Sequence, residues 1–238
     1  MIRNRPTIAI IPVRGGSKGI PKKNIYKIEN ETLLERTINF AKKINVIDKI
    51  IVSTDDIEMY EISKRHKVNA SSLRPEHLAT DSSKTIETIK YLLKEEKIEN
   101  ANILLLQVTS PLRNHDDIKA IFEIYNNDYS LNAIVSCVKI IEPHPYKCVI
   151  INKNKYIEPL IGNSLSTPRQ ELPEVFAFNG AFYLIDSEVL INQNTLIPTR
   201  TKLYEMPLNR SINIDSEMDL LLLEIILKKN NEKNSIKN

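Results

Sequence analysis

The segment "TIAIIPV" (residues 7–13) is β-branched and apolar on both faces. That pattern suits a strand inside a parallel sheet, with neighbours on either side and helices above and below. It also sets a rhythm that the chain repeats. "TLLERTINFAKKI" (32–44) places Leu34, Ile38 and Ala41 on one helical face, with Thr32 as N-cap and Glu35 at the capping-box position. "DKIIVST" (48–54) follows as a strand, then "DIEMYEISKRH" (56–66) and "KTIETIKYLLKEE" (84–96) as helices. "ANILLLQVT" (101–109) is a second buried strand, "HDDIKAIFEIYNN" (115–127) a helix and "NAIVSCV" (132–138) a strand. Strands and helices alternating in this way predict an α/β fold: a mostly parallel twisted sheet with helices on both faces and right-handed crossovers.

Between residues 139 and 180 the rhythm breaks. "HPYKCVIINKNKYIEPL" (144–160) is expected to form an antiparallel pair turning at "NKNK", and "GNSLSTPRQELPE" (162–174) is polar, proline-bearing and without helical period. This stretch is expected to leave the core as a small antiparallel dimerisation excursion. The sheet resumes with "GAFYLID" (180–186) and "KLYEMPL" (202–208), and "SEMDLLLLEIILKK" (216–229) closes the fold as an apolar helix. The expected organisation is one domain over residues 1–229, followed by a flexible tail at 230–238. At 238 residues and 42% hydrophobic composition the chain can bury one sizeable core.

Charge excludes one class of partner. The formal net charge of +3 is carried by residues 228–238, which hold four lysines and one glutamate, and the remainder balances 29 basic against 29 acidic residues. No basic face for nucleic acid is implied. Cys137 and Cys148 form neither a disulfide framework nor a zinc-ligand spacing, which fits a reducing compartment. No apolar run approaches the length of a bilayer span, and "MIRNRP" leads into the first strand without a leader's apolar region, so no membrane association and a cytoplasmic location are expected.

Glycine is concentrated where the first strand ends. Three of the five glycines, Gly15, Gly16 and Gly19, fall within "RGGSKGIPKKN" (14–24), among Arg14, Lys18, Lys22 and Lys23. Backbone N–H groups turned inward by glycines, beside full positive charges, suit a polyphosphate. The loop is neither a Walker A sequence nor GxGxxG. In sheets of this class ligands bind beyond the carboxyl ends of the strands, where this loop is expected.

These residues resemble the N-terminal signature of the CMP-acylneuraminate (nonulosonic acid) synthetases, a cytidylyltransferase family. "IIVSTDD" (50–56), "RPEHLATDSS" (74–83), "LLQVTSPLR" (105–113), "FNGAFYLID" (178–186) and "INIDSEMDL" (212–220) are similar to further stretches of that family in the same order. The resemblance implies a nucleotide-diphospho-sugar transferase-like sheet and transfer of CMP from CTP to the anomeric hydroxyl of a sialic acid-type sugar acid, with Mg²⁺ as cofactor. A homodimer is also implied.

By that resemblance Arg14, Gly15, Gly16, Ser17 and Lys18 hold the triphosphate, with Arg14, Lys18 and Asp215 catalytic. Asn24, Arg74 and Thr85 contact the nucleotide. Gln107, Lys147, Arg169, Asn179 and Tyr183 face the sugar acid, whose carboxylate a guanidinium can grip through two parallel hydrogen bonds. Asp215 and Asn213 are the implied metal ligands. Related synthetases commonly carry Asp at both positions, and Asn213 keeps an oxygen donor while losing a charge. A cap of the last helix is the other reading of Asp215, and Arg113 suits either a phosphate or an ion pair. Legionaminic or pseudaminic acid is an alternative acceptor. Two readings of another class are a glycosyltransferase using "STDD" (53–56) as its metal site and a silent nucleotide-binding module.

Overall fold

The computed structural model describes residues 1–16, 19–70, 72–162 and 164–236; Ser17 and Lys18 lie outside the described residues. In chain order the elements are β1 (Thr7–Pro12), β2 (Lys27–Ile28), β3 (Glu31–Thr32), α1 (Leu33–Lys42), β4 (Lys49–Ser53), α2 (Ile57–Arg65), α3 (Thr85–Glu95) and β5 (Asn102–Leu105). There follow α4 (His115–Asn127), β6 (Ala133–Lys139), β7 (Val149–Ile151), β8 (Ile157–Pro159), β9 (Phe176–Asp186), α5 (Ser187–Gln193), β10 (Thr201–Glu205) and α6 (Glu217–Ile236).

The main sheet runs in the order β10-β6-β9-β5-β1-β4. β1 pairs in parallel with β4 on one side and β5 on the other, and β6 pairs in parallel with β10. β9 is the one antiparallel member, inserted between β5 and β6. The chain leaves β1 to reach β4, then crosses back over β1 to reach β5. That reversal opens a crevice at the carboxyl ends of β1 and β5, where open α/β sheets bind ligands.

Alternation along the strands divides the core into two layers. Ala9, Ile11, Leu104 and Phe182 face α1, α2 and α4, packing against Leu34, Ile38, Met59, Ile62 and Ile121. Ile8, Ile10, Ile103 and Leu105 face α3 and α5, against Ile89, Leu93 and Leu190. A third cluster joins Ile20 of the glycine loop and Leu33 of α1 to Ile214, Leu220 and Leu223, so α6 is anchored against the loop that follows β1.

The expected local signals are present in detail. Thr32 and Glu35 form the reciprocal capping box of α1. The excursion carries the antiparallel β7–β8 pair. Three boundaries differ from expectation. The β5 ladder ends at Leu105, and residues 106–109 continue past the sheet edge. β9 starts at Phe176, inside the stretch read as excursion, with a register shift against β6 between Val135 and Cys137. α6 runs on to Ile236, where an irregular tail was expected from residue 230, because no Pro or Gly interrupts residues 216–238. Short α5 was not anticipated; Asp186 caps it by accepting from the N–H groups of Glu188 and Val189.

Candidate active site

A cavity of about 410 Å³ lies at the crevice between β1 and β5. Pro12, Val13, Arg14, Gly16 and Gly19 bring the end of β1 and its loop to one wall, and Gln107, Val108 and Thr109 bring the extension of β5 to another. Arg74 and Asp81 come from the connection before α3, and Thr85 and Thr88 from its first turns. Lys23, Asn24 and Asp215 line it as well, as do Leu78, Thr80 and Ser83 of the connection before α3.

The glycine loop is held from three directions. Gly15 N–H donates to Asp55 Oδ1 at 3.0 Å. Asn24 Nδ2 donates to Arg14 O at 2.9 Å, and the buried Asn24 Oδ1 has no partner among the described residues. Arg74 reaches under the loop: Nη2 donates to Val13 O at 3.0 Å and to Ser53 O, and Nε to Ser53 Oγ at 3.0 Å. Gly19 is required by proximity, because a Cβ there would come closer than 3.0 Å to the Asp215 carbonyl oxygen. No such crowding exists at Gly16 among the described residues.

The "STDD" tetrapeptide is thereby accounted for as support. Asp56 accepts from Met59 N–H and caps α2, Asp55 holds Gly15, and Ser53 receives Arg74. Both carboxylates serve backbone N–H groups, which removes the motivation for reading them as a glycosyltransferase metal site.

The cations cluster on the same side. Burial pulls the Arg74 guanidinium below its usual range, Asp55 opposes that, and the nearby Arg14 adds to it. Arg14 pairs with Asp81 at 2.7 Å. Lys23, only 9% exposed, donates to Ile214 O at 2.6 Å and to Asp215 Oδ1 at 2.9 Å. Sequence reasoning counted it among the positive charges of the loop but gave it no place of its own in the site. Asp215 Oδ2 accepts from Asn213 Nδ2 at 2.6 Å, so the two implied metal ligands do stand side by side, although residues 211–215 are irregular chain outside any sheet. Asp215 does not cap α6. The cap is Ser216 with Asp219: Asp219 Oδ2 accepts from Ser216 N–H at 2.7 Å and from Asp215 N–H at 3.0 Å. Burial alone would raise the Asp219 carboxyl, but these hydrogen bonds and Lys23 hold it below its ordinary value.

Gln107 lies over Gly180, where the φ of +73° would strain any other residue and an added Cβ would force Gln107 Oε1 aside. The other expected sugar contacts are not among the residues lining this cavity. Asn179 is buried inside the sheet, with Oδ1 accepting from Ser136 Oγ at 2.6 Å and Nδ2 donating to Ser211 Oγ at 3.0 Å. Tyr183 packs in the α3-side core, where burial raises its phenol pKa. Lys147 and Arg169 lie on the excursion: Lys147 Nζ donates to Leu165 O and Thr167 O, and Arg169 pairs with Glu142 at 2.9 Å. Arg113 does not form the expected ion pair: it is buried against loop carbonyls and pairs with no carboxylate among the described residues.

The model of the cytidylyltransferase family matches residues 8–218. An N-acylneuraminate cytidylyltransferase of Streptococcus agalactiae serotype V is 31% identical over 216 residues, covering 90% of this chain and 51% of that protein. The chain thus spans about half the length of that relative. A CMP-N,N'-diacetyllegionaminic acid synthase of Legionella pneumophila is 30% identical over 230 residues, covering 94% of this chain and 97% of that protein. Among solved structures, a CMP:2-keto-3-deoxy-manno-octonic acid synthetase complexed with CTP superposes with a TM-score of 0.71 at 16% identity, covering 94% of this chain and 99% of that one, a likeness of fold. Among the described residues no helix is long and apolar enough to cross a membrane.

Proposed function

Because the chain belongs to the cytidylyltransferase family, we propose that it transfers CMP from CTP to the anomeric hydroxyl of a sialic acid-type nonulosonic acid. The observation that carries this reading is the crevice between β1 and β5, where the basic glycine loop meets the Lys23–Asp215 pair across a cavity sized for a small ligand. The triphosphate lies along residues 14–19, with the N–H groups of the loop and the charges of Arg14, Lys18 and Lys23 around it. Asn24, Arg74 and Thr85 form the nucleotide side. Gln107 presents its amide to the sugar acid.

In the reaction the sugar hydroxyl oxygen forms a bond to the α-phosphorus, the bond from that phosphorus to the β-phosphate oxygen breaks, and pyrophosphate leaves with the electron pair. The hydroxyl proton is released. Positioning and charge neutralisation do most of such work. Lys23 is held at the cavity wall by two acceptors from the far end of the chain.

Magnesium fits the donor set, since the ion needs only one or two protein carboxylates beside phosphate oxygens and water, and the carboxylate of Asp215 lines the cavity with Asn213 bonded to it. Asp215 and Asn213 would hold it. When bound, it supplies charge neutralisation between phosphate oxygens. Lys23 already neutralises one oxygen of Asp215, so this pair is a weaker metal site than two aspartates would be.

The excursion is proposed as the contact surface of a homodimer. Ile150, Ile151, Tyr156, Ile157 and Phe178 are exposed on it or beside it, an apolar surface of the kind subunit contacts cover. Lys147 and Arg169 ride on the same arm, and their proposed role toward the sugar carboxylate depends on where the arm docks. The enzyme is placed in the cytoplasm, where CTP is made. Legionaminic acid is a second reading of the acceptor, favoured by the match along nearly the whole Legionella relative.

Pyrophosphate release from CTP and Mg²⁺, measured with N-acetylneuraminic, legionaminic, pseudaminic and 3-deoxy-manno-octulosonic acids, tests the proposal. Release with one acceptor names it. Silence with all four, while CTP binds, would leave a nucleotide-binding module and overturn the assignment.

A further inference from the structure

Asn179 spends its side chain inside the protein, in an irregularity of the sheet. β6 and β9 pair as Val135 with Tyr183 and as Cys137 with Phe178, so β9 uses Asn179, Gly180, Ala181 and Phe182 over the span that β6 covers with Ser136 alone. The extra backbone bulges out of the ladder, and its polar groups need other partners. Ser136 Oγ donates to Asn179 Oδ1 at 2.6 Å and accepts from Phe182 N–H at 2.8 Å. Ala181 N–H donates to the same Asn179 oxygen at 3.2 Å. Asn179 is 4% exposed and Ser136 fully buried, so these bonds are made out of reach of water.

The bulge touches both walls of the crevice. On the acceptor side, Ser110 Oγ donates to Asn179 O at 2.8 Å, and Gly180 lies so close to Gln107 Oε1 and Ser110 Oγ that a Cβ there would meet both. On the other side, Asn179 Nδ2 donates to Ser211 Oγ at 3.0 Å and to Cys137 O at 3.4 Å, and Ser211 Oγ donates in turn to Pro207 O at 3.0 Å. Ser211 opens the segment that carries Asn213 and Asp215. Further along, Ile214 N–H donates to Thr109 O at 2.8 Å, and Lys23 holds Ile214 O and Asp215. No helix or strand includes residues 211–215, so anchors of this kind decide where Asp215 stands. An amide that only filled the bulge would have its partners within β6 and β9, whereas the bond to Ser211 reaches a segment outside the sheet.

We infer that Asn179 is a positioning residue: from inside the β9 bulge it sets the start of the segment bearing Asn213 and Asp215, without touching either substrate. The inference rests on the cytidylyl-transfer reading above, and it gives the amide a different role from the sugar contact expected of its sequence context. Through Gly180 and Ser110 the same bulge sets the turn that carries Gln107, so the acceptor wall and the Asp215 wall are both referenced to one point in β9.

Hydrogen exchange of the substrate-free full chain, followed by mass spectrometry, tests this together with steady-state kinetics. In Asn179→Ala, residues 207–216 are expected to exchange roughly 5-fold faster or more, while β1 and β4 keep the parent's rates. The kcat should fall about 10-fold and the KM for the sugar acid should stay within about 3-fold, because a misplaced group slows the chemistry rather than the binding. Ser211→Ala should reproduce both effects, and the double variant should be no worse than Asn179→Ala alone, since both changes break the same contact. Should Asn179→Ala not fold, Ser211→Ala decides, because Ser211 is half-buried and outside the sheet. A sugar-acid KM raised about 10-fold with parent-like exchange at 207–216 would make Asn179 a substrate contact. Faster exchange throughout the sheet with an unchanged kcat would make it a contact of the fold alone. Either result overturns the inference. Exchange needs no substrate, so a parent that turned over none of the acceptors would count against the reaction, and the exchange pattern would still decide the positioning.

Discussion

Lys23 Nζ and Asp215 Oδ1 are 2.9 Å apart although 192 residues separate them in the chain. The contact ties the turn after the glycine loop to the extended segment before α6. Lys23 also donates to Ile214 O, so one ammonium fixes both the backbone and the carboxylate of the segment proposed to meet the metal. Lys23→Met keeps the stem and removes the charge. Its kcat is expected to fall about 100-fold, the scale of losing one preorganised charge-stabilising donor. Rescue by Lys23→Arg would be partial. A kcat within a few-fold of the parent in Lys23→Met would make the pair a fastening only.

Gly19 tests the loop without touching a charged group. Its missing Cβ lets the loop approach the Asp215 carbonyl, and backbone cannot swing aside as a flexible side chain can. Gly19→Ala is expected to push the loop off the 215 segment, raising the KM for CTP with little change in melting temperature. Gly16→Ala, with no described atom within 4 Å of the added Cβ, should leave the packing of the loop on the 215 segment and the melting temperature nearly unchanged. Steady-state kinetics on the two variants would show the contrast, and equal effects would mean that crowding is not what Gly19 relieves.

Gly180 carries the matching argument on the other wall. An alanine at its φ of +73° is strained, and its Cβ would displace the Gln107 amide. Gly180→Ala is expected to cost about 1–3 kcal/mol in a denaturant melt. It should also raise the KM for the sugar acid more than that for CTP. An equal rise in both would remove Gln107 from the acceptor side.

How much of this was legible follows from how local each signal is. The capping box of α1, the buried character of β1 and β5 and the antiparallel pair at residues 149–159 depend on neighbours within a few positions, and the sequence states them. The adjacency of Asn213 and Asp215 follows from their two-residue spacing. Which loop cation turns inward does not: Lys22 and Lys23 are adjacent, yet Lys22 pairs with Glu58 at the surface while Lys23 is buried, and only the packing of residues 212–223 against Ile20 decides between them. Asn179 and Tyr183 were legible as motif members but not as buried ones, because the register of β9 between β5 and β6 sets which way each side chain faces. Arg113 shows the same limit, since nothing nearby in the sequence says that its partners are the carbonyls three and six residues before it.

The metal pair gives a prediction in the direction of gain. Asn213 contributes no charge, and Asp215 shares its one charge with Lys23. Asn213→Asp adds a second carboxylate beside the first, and ligand charge is a main lever on the affinity of a hard cation. The Mg²⁺ concentration giving half-maximal activity is expected to fall roughly 3–10-fold, while the rate at saturating Mg²⁺ changes little. Asp215→Ala should lose activity at every Mg²⁺ concentration. A titration in which Asn213→Asp tracks the parent would move the metal away from this pair, and the Lys23–Asp215 contact would then stand as the complete charge arrangement of this wall.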